Sequence, residues 1–241
     1  MMRIHDSEYI SLDPHNPASA SSGHIAAGIA FIVGFLIVSA LVISKITQSF
    51  DAQLALALNK ATFGEAFTVL MIFFATYGRE YFWIPIVGIM MLFGKRETKL
   101  LALELAALFI VGIFVGEALK SVTFRPRPFE TLSDIITRVP IDTDSSYPSG
   151  HAIMVSIGAL FSLAKFKRRL VGLLLTLEAA IVCYSRVYVG MHYPLDVVGG
   201  IFVGMAIVLT GLPILESKLC DLLNRLVSLF VKVLGDGLIT L

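Results

Sequence analysis

Residues 148–169 read PSGHAIMVSIGALFSLAKFKRR, and this stretch decides the fold. Between His151 and Lys165 it carries no formal charge and is almost wholly apolar. A run of this kind suits a membrane-spanning helix, which needs about 20 apolar residues. Its start, Pro148-Ser149-Gly150-His151, is polar and turn-like, and its end holds Lys165, Lys167, Arg168 and Arg169. Lysine and arginine in short loops mark the cytoplasmic side. The Pro-Ser-Gly-His end is therefore expected at the opposite, extracytoplasmic face.

The whole chain supports that reading. Of 241 residues, 56% are hydrophobic and only 15% are charged, and the mean hydropathy is +0.84. A soluble domain carries roughly 25% charge. The expected fold class is all-α: a polytopic membrane helix bundle with interfacial helices. Further spans are expected at 25–44, 81–94, 100–119, 170–184 and 195–215. Lys95, Arg96 and Lys99 form a second basic loop, consistent with the same orientation. The segment 61–78 is apolar apart from Glu65. Lying in the outer interface it leaves six transmembrane helices, the favoured count; spanning, it makes seven. Residues 1–23 are expected to form a flexible cytoplasmic tail without the character of a signal peptide, and 24–215 the membrane domain. In 216–241 the apolar residues share one helical face, which suits an amphipathic cytoplasmic helix. A net charge of +1 gives no strong pull on nucleic acid. His5, His15 and His24 read as solvated residues of the tail rather than metal ligands, and Cys183 and Cys220 fall at different depths, so no disulfide is expected.

Two further polar stretches fall on the expected outer side. They are Lys120-x6-Arg127-Pro128 and Ser185-Arg186-x5-His192-x3-Asp196. Polar residues at a bilayer face are costly to place without a purpose. Lys120, Arg127 and Arg186 can neutralise the charge that spreads over phosphoryl oxygens in a transfer reaction. A helix opening at Ser149 and Gly150 offers free N–H groups to a phosphate, and Ser149 can either cap that helix or donate to the ligand. His151 is placed to act as general acid. His192 can act as nucleophile, with Asp196 at i+4 holding one ring nitrogen. This set calls for no metal and no cofactor.

These residues resemble the three-part signature of the type 2 phosphatidic acid phosphatase superfamily, which also holds vanadium haloperoxidases and bacterial acid phosphatases. The match covers 120–196. It implies catalytic roles for His192, His151 and Asp196 and phosphate-binding roles for Lys120, Arg127, Ser149, Gly150 and Arg186. It also implies a lipid phosphate substrate drawn from the bilayer: polyprenyl diphosphate, phosphatidylglycerol phosphate or phosphatidic acid. The plasma membrane is the expected location. The alternative is a phosphotransferase that passes the phosphoryl group to a lipid or sugar acceptor.

Other polar residues are less decisive. Arg125 could reach a second phosphate or stand as a surface cation. Glu117, three residues before Lys120, can orient it. Glu104 and Glu178 lie deep in spans and are not read as catalytic. The acidic loop 129–147 reads as a lid or a connector. Gly200 and Gly204 permit close helix approach, first for internal packing and second for a homodimer.

Overall fold

A computed structural model of the chain describes residues 17–238, with side chains described over 22–218. Among the described residues every regular element is an α-helix: α1 (Pro17–Ile43), α2 (Gln48–Asn59), α3 (Glu65–Tyr77), α4 (Glu80–Phe93), α5 (Arg96–Val122), α6 (Pro128–Thr131), α7 (Gly150–Lys165), α8 (Arg169–Tyr188) and α9 (Pro194–Leu238). Ser22–Ile43, α5, α8 and Pro194–Lys218 are long and apolar enough to cross a membrane. At 1.5 Å per residue, α5 and α8 are about 40 and 30 Å long, against a hydrocarbon core of about 30 Å. Leu36 and Ile37 of α1, Phe114 of α5 and Leu174 and Leu177 of α8 are exposed. They form the apolar outer surface of the bundle, and the chain is an integral membrane protein.

The opening helical turns revise one sequence expectation. Helix α1 already runs from Pro17, so 17–23 are helical; residues 1–16 lie outside those described. At the other end α9 continues without interruption to Leu238, so 216–238 prolong a spanning helix.

Helix α7 is the centre of the bundle. Most of its residues are buried, and α5, α8 and α9 pack around it. A Cβ on Gly200 would stand 2.5 Å from Ser149 O, and one on Gly204 2.6 Å from Ile153 O. Both glycines therefore let α9 lie against the α7 backbone, and that face has no role left in a contact with a second copy.

Helices α3 and α4 follow one another in line. The Phe67 ring meets Tyr184 and Tyr188 near the end of α8, whereas Gly78 lies against Val182 and Glu178, earlier in α8. Thus α3 runs antiparallel to α8. Only three residues, 166–168, join α7 to α8, so these two are antiparallel as well. Arg79 lies beside Gly150, and the Trp83 ring fills the notch at Gly158, so α4 runs parallel to α7. It follows that α3 and α4 point the same way, separated by a break at Gly78–Arg79. The apolar segment 61–78 lies along α8, packed through Met71 and Ala75, rather than flat in the interface. Burying its apolar side against Tyr184 and Tyr188 gives α3 more than a surface position would.

The two ends of the bundle differ in chemistry. At one end Lys165 pairs with Glu216 and lies 3.7 Å from Glu104, and Lys167 lies 3.7 Å from Glu97. These contacts join the basic loops before α5 and α8. At the other end sit the close of α5, the start of α7, the close of α8 and the start of α9. That second end carries all three signature stretches.

Candidate active site

A cavity of about 410 Å³ opens at this end of the bundle. Lys120, Arg127, Gly150, His151 and His192 line it, together with Arg79, Glu117 and residues 141–144. Lys120 is supplied by the last turn of α5. Arg127 is fixed just before Pro128 opens the short α6, and its backbone N–H donates to Glu130 Oε2 at 2.7 Å.

Ser149 is the N-cap of α7. Its Oγ accepts from the Ala152 N–H at 3.5 Å, and its own N–H donates to Asp196 O at 2.9 Å. Ser149 is fully buried and does not line the cavity; of its two expected uses, capping is the one seen. Gly150, at the first position of α7, brings backbone to the cavity wall. His151 faces the same space from the first turn, and its ring makes no hydrogen bond to the described residues.

His192 sits just before α9. Its Nδ1 lies 2.9 Å from the Ser146 carbonyl. A carbonyl only accepts, so this bond fixes the proton on Nδ1 and leaves Nε2 as the unprotonated, accepting nitrogen. Nε2 faces Arg127 Nη1 at 3.5 Å. Burial, then the positive charges of Arg186, Arg127 and Lys120, push the imidazole well below the ordinary histidine value, with the Ser146 carbonyl acting in the opposite sense. His192 is therefore a neutral base at neutral pH, with its lone pair aimed among cations.

Asp196 stands differently from the expected direct partner. Its Oδ2 is 3.5 Å from His192 Nδ1, farther than the Ser146 carbonyl. The cause is local: Pro194 opens α9, and Asp196 at the third helical position turns back to accept the Tyr193 N–H at 2.8 Å. Its remaining acceptor sites take the Ser146 hydroxyl and Arg125 Nη1, the latter at 2.6 Å. Asp196 thus holds the Ser146 segment whose carbonyl orients His192.

Arg125 lies away from the main cavity. Its second nitrogen donates to Asp51 Oδ2 at 2.7 Å, and its guanidinium stacks 4.0 Å above the Tyr193 ring. It borders a separate cavity of about 280 Å³ at the end of α1. Its two hydrogen bonds to carboxylates leave it no part in a second-phosphate site in the main cavity. Asp51, which closes this cluster from α2, carries no signal in the sequence, because it lies 74 residues from Arg125.

The loop 139–146 lies across the cations. Asp144 accepts from Lys120 and, at 2.5 Å, from Arg127 Nη2. Asp142 accepts from Arg186 Nη2 at 3.1 Å. Burial raises the Asp144 carboxyl, but the hydrogen bonds and charges of Lys120 and Arg127 outweigh it and hold the group at about 2. Arg186 reaches the cavity through Asp142 and is anchored by a bond to Ala75 O at 3.0 Å. Glu117 stands 3.7 Å from Lys120. Glu104 and Glu178 are buried outside this cavity.

Fixed cations round a neutral imidazole, with a second imidazole on the same wall, define a membrane-embedded anion site suited to phosphoryl transfer. Residues 101–218 match the model of the PAP2 superfamily. The undecaprenyl-diphosphatase BcrC of Bacillus subtilis is 30% identical over 167 residues, 68% of this chain and 80% of that protein. The undecaprenyl-diphosphatase of Sulfolobus acidocaldarius is 42% identical over 135 residues, which are 56% of this chain and 64% of its relative. Among solved structures, a transmembrane PAP2-type phosphatidylglycerolphosphate phosphatase from Bacillus subtilis shares the fold, with a TM-score of 0.66 at 23% identity over 79% of this chain and 96% of its own. The chain belongs to the PAP2 superfamily.

Proposed function

We propose that the chain hydrolyses a lipid phosphate through a phosphohistidine on His192. The observation that carries this reading is the placement of the unprotonated His192 Nε2 in one cavity with Lys120, Arg127 and His151. Two relatives named as undecaprenyl-diphosphatases favour a polyprenyl diphosphate among lipid substrates.

The reaction then runs in two steps. His192 Nε2 attacks phosphorus, the bond from phosphorus to the leaving oxygen breaks, and His151 gives that oxygen a proton. Lys120, Arg127 and Arg186 neutralise the equatorial oxygens. For this the incoming phosphate takes over the cations now held by Asp142 and Asp144. Phosphorylation turns His192 into a cation, which Ser146 O and the Asp196 carboxylate behind it stabilise. Water then attacks phosphorus, His151 accepts its proton, and inorganic phosphate leaves with His192 restored.

The distribution of lysine and arginine supports placing the end of the bundle opposite the basic loops at the extracytoplasmic face. The test is phosphate release from lipid phosphates in detergent, with a chelator present, by the native chain and by His192→Ala. The substituted protein is expected to lose turnover; retained turnover refutes the reading.

A further inference from the structure

Arg79 is a cation that the signature does not contain. It lies outside the family-matched stretch 101–218, yet it lines the same cavity as His151 and His192. The break between α3 and α4 puts it there. Irregular backbone between apolar helices is tolerated where it lines a cavity, and Arg79 leaves the helical conformation at this point, with φ −103° and ψ −97°. A Cβ on Gly150 would stand 3.3 Å from Arg79 Nη1 and 3.7 Å from Lys120 Nζ. The two cations therefore flank the first residue of α7, beside His151.

Arg79 also differs from the other cations in its partners. Lys120, Arg127 and Arg186 are held by Asp142 and Asp144. Arg79 pairs only with its neighbour Glu80 among the described residues, and its Nε is buried without a hydrogen bond. The cavity is roomy as well. Its 410 Å³ correspond to on the order of a dozen waters at about 30 Å³ each, well beyond one phosphoryl group.

In a lipid diphosphate, His192 attacks the terminal phosphorus. The bond to the bridging oxygen breaks, and the lipid monophosphate leaves with the electron pair and the proton from His151. The second phosphate must then lie on the His151 side of the reacting phosphorus, where Arg79 stands. A lipid monophosphate has no charged group at that position. The geometry points to Arg79 as a specificity-determining residue that binds the second, lipid-attached phosphate and favours diphosphates over monophosphates. This inference rests on the phosphatase reading above.

The test uses the full-length protein in detergent with farnesyl diphosphate and farnesyl phosphate, which differ only in the second phosphate. Arg79→Gln removes the cation, and Arg79→Lys keeps the charge but loses the two-pronged guanidinium. The expected result is a loss of kcat/KM at least about tenfold larger on the diphosphate than on the monophosphate for Arg79→Gln, with Arg79→Lys between it and the native chain. Equal losses on both lipids, or no loss on either, overturn the assignment of Arg79 while leaving the phosphatase reading intact. If Arg79→Gln does not fold, the same comparison on Arg79→Lys decides, with a selective diphosphate loss supporting the assignment and an equal loss overturning it. A native chain that releases phosphate from neither lipid overturns the phosphatase reading and this inference together.

Discussion

Arg125 and Arg127 are separated by one proline, and each meets two aspartates, but under opposite conditions. Around Arg125 the carboxylates are shut away, with Asp51 1% and Asp196 0% exposed. Around Arg127 they stand at the surface, with Asp142 49% and Asp144 42% exposed. A buried pair is held by the loss that follows when one partner is removed, because a bare charge remains in low dielectric. A half-exposed pair can trade its carboxylate for another anion, since water supports both groups during the exchange. The first cluster is thus a fixture that holds the His192 segment, and the second is the site where, in the proposed reaction, phosphate takes the place of Asp142 and Asp144. Residue type alone does not separate the two; carboxylate exposure does.

The largest expected effect falls on the fixture. Arg125→Gln leaves Asp51 and Asp196 buried without their cation and should cost about 3–5 kcal/mol of stability, read as a lowered unfolding temperature in detergent. Adding Asp51→Asn to it should recover part of that loss. No change in unfolding on Arg125→Gln would erase the distinction between the two clusters. Next, Arg127→Ala should reduce kcat/KM by about 10²–10³-fold, the usual loss for one donor to a developing charge.

Asp144→Asn should move activity the other way at low substrate. With the competing carboxylate weakened, KM should fall by a few-fold, on the scale of about 1 kcal/mol for a half-exposed ion pair, and inorganic phosphate should inhibit more strongly. A raised KM would show that Asp144 serves substrate binding instead.

The smallest effect concerns pH. Asp144 is held at about 2 against an ordinary value of 3.8. Its contribution is fully present above the ordinary value and is lost as pH falls through about 2, so it adds nothing to changes between pH 5 and 8. His192 is held well below 6.5. Its neutral form therefore persists under mildly acidic conditions, and the acid limb of kcat/KM due to His192 should lie below pH 6.5. A limb at or above that value would contradict the burial and cationic surroundings that depress it.

Much of this arrangement is legible in the sequence because the signature residues sit at helix ends with fixed spacing. Pro128, Ser149 and Pro194 mark where segments start, and the basic loops at 95–99 and 165–169 sort those ends to one side. What sequence does not reveal depends on contacts between distant segments. Asp51 reaches Arg125 across 74 positions. The Ser146 carbonyl accepts from His192 Nδ1–H because Asp196 is drawn back onto the start of its own helix, which an i, i+4 spacing cannot convey. Arg79 stands between two apolar runs, and only the directions of α3 and α4 show that the chain breaks there and continues in line.

The central claim is that His192 becomes phosphorylated in turnover. Rapid acid-free quenching of the native chain with a polyprenyl diphosphate, followed by mass mapping of the modified peptide, tests it most directly. A phosphoryl group on His192 that builds up before phosphate release and disappears as release proceeds is the expected result. Steady phosphate release with His192 unmodified throughout, or with the group carried on another residue, would contradict it.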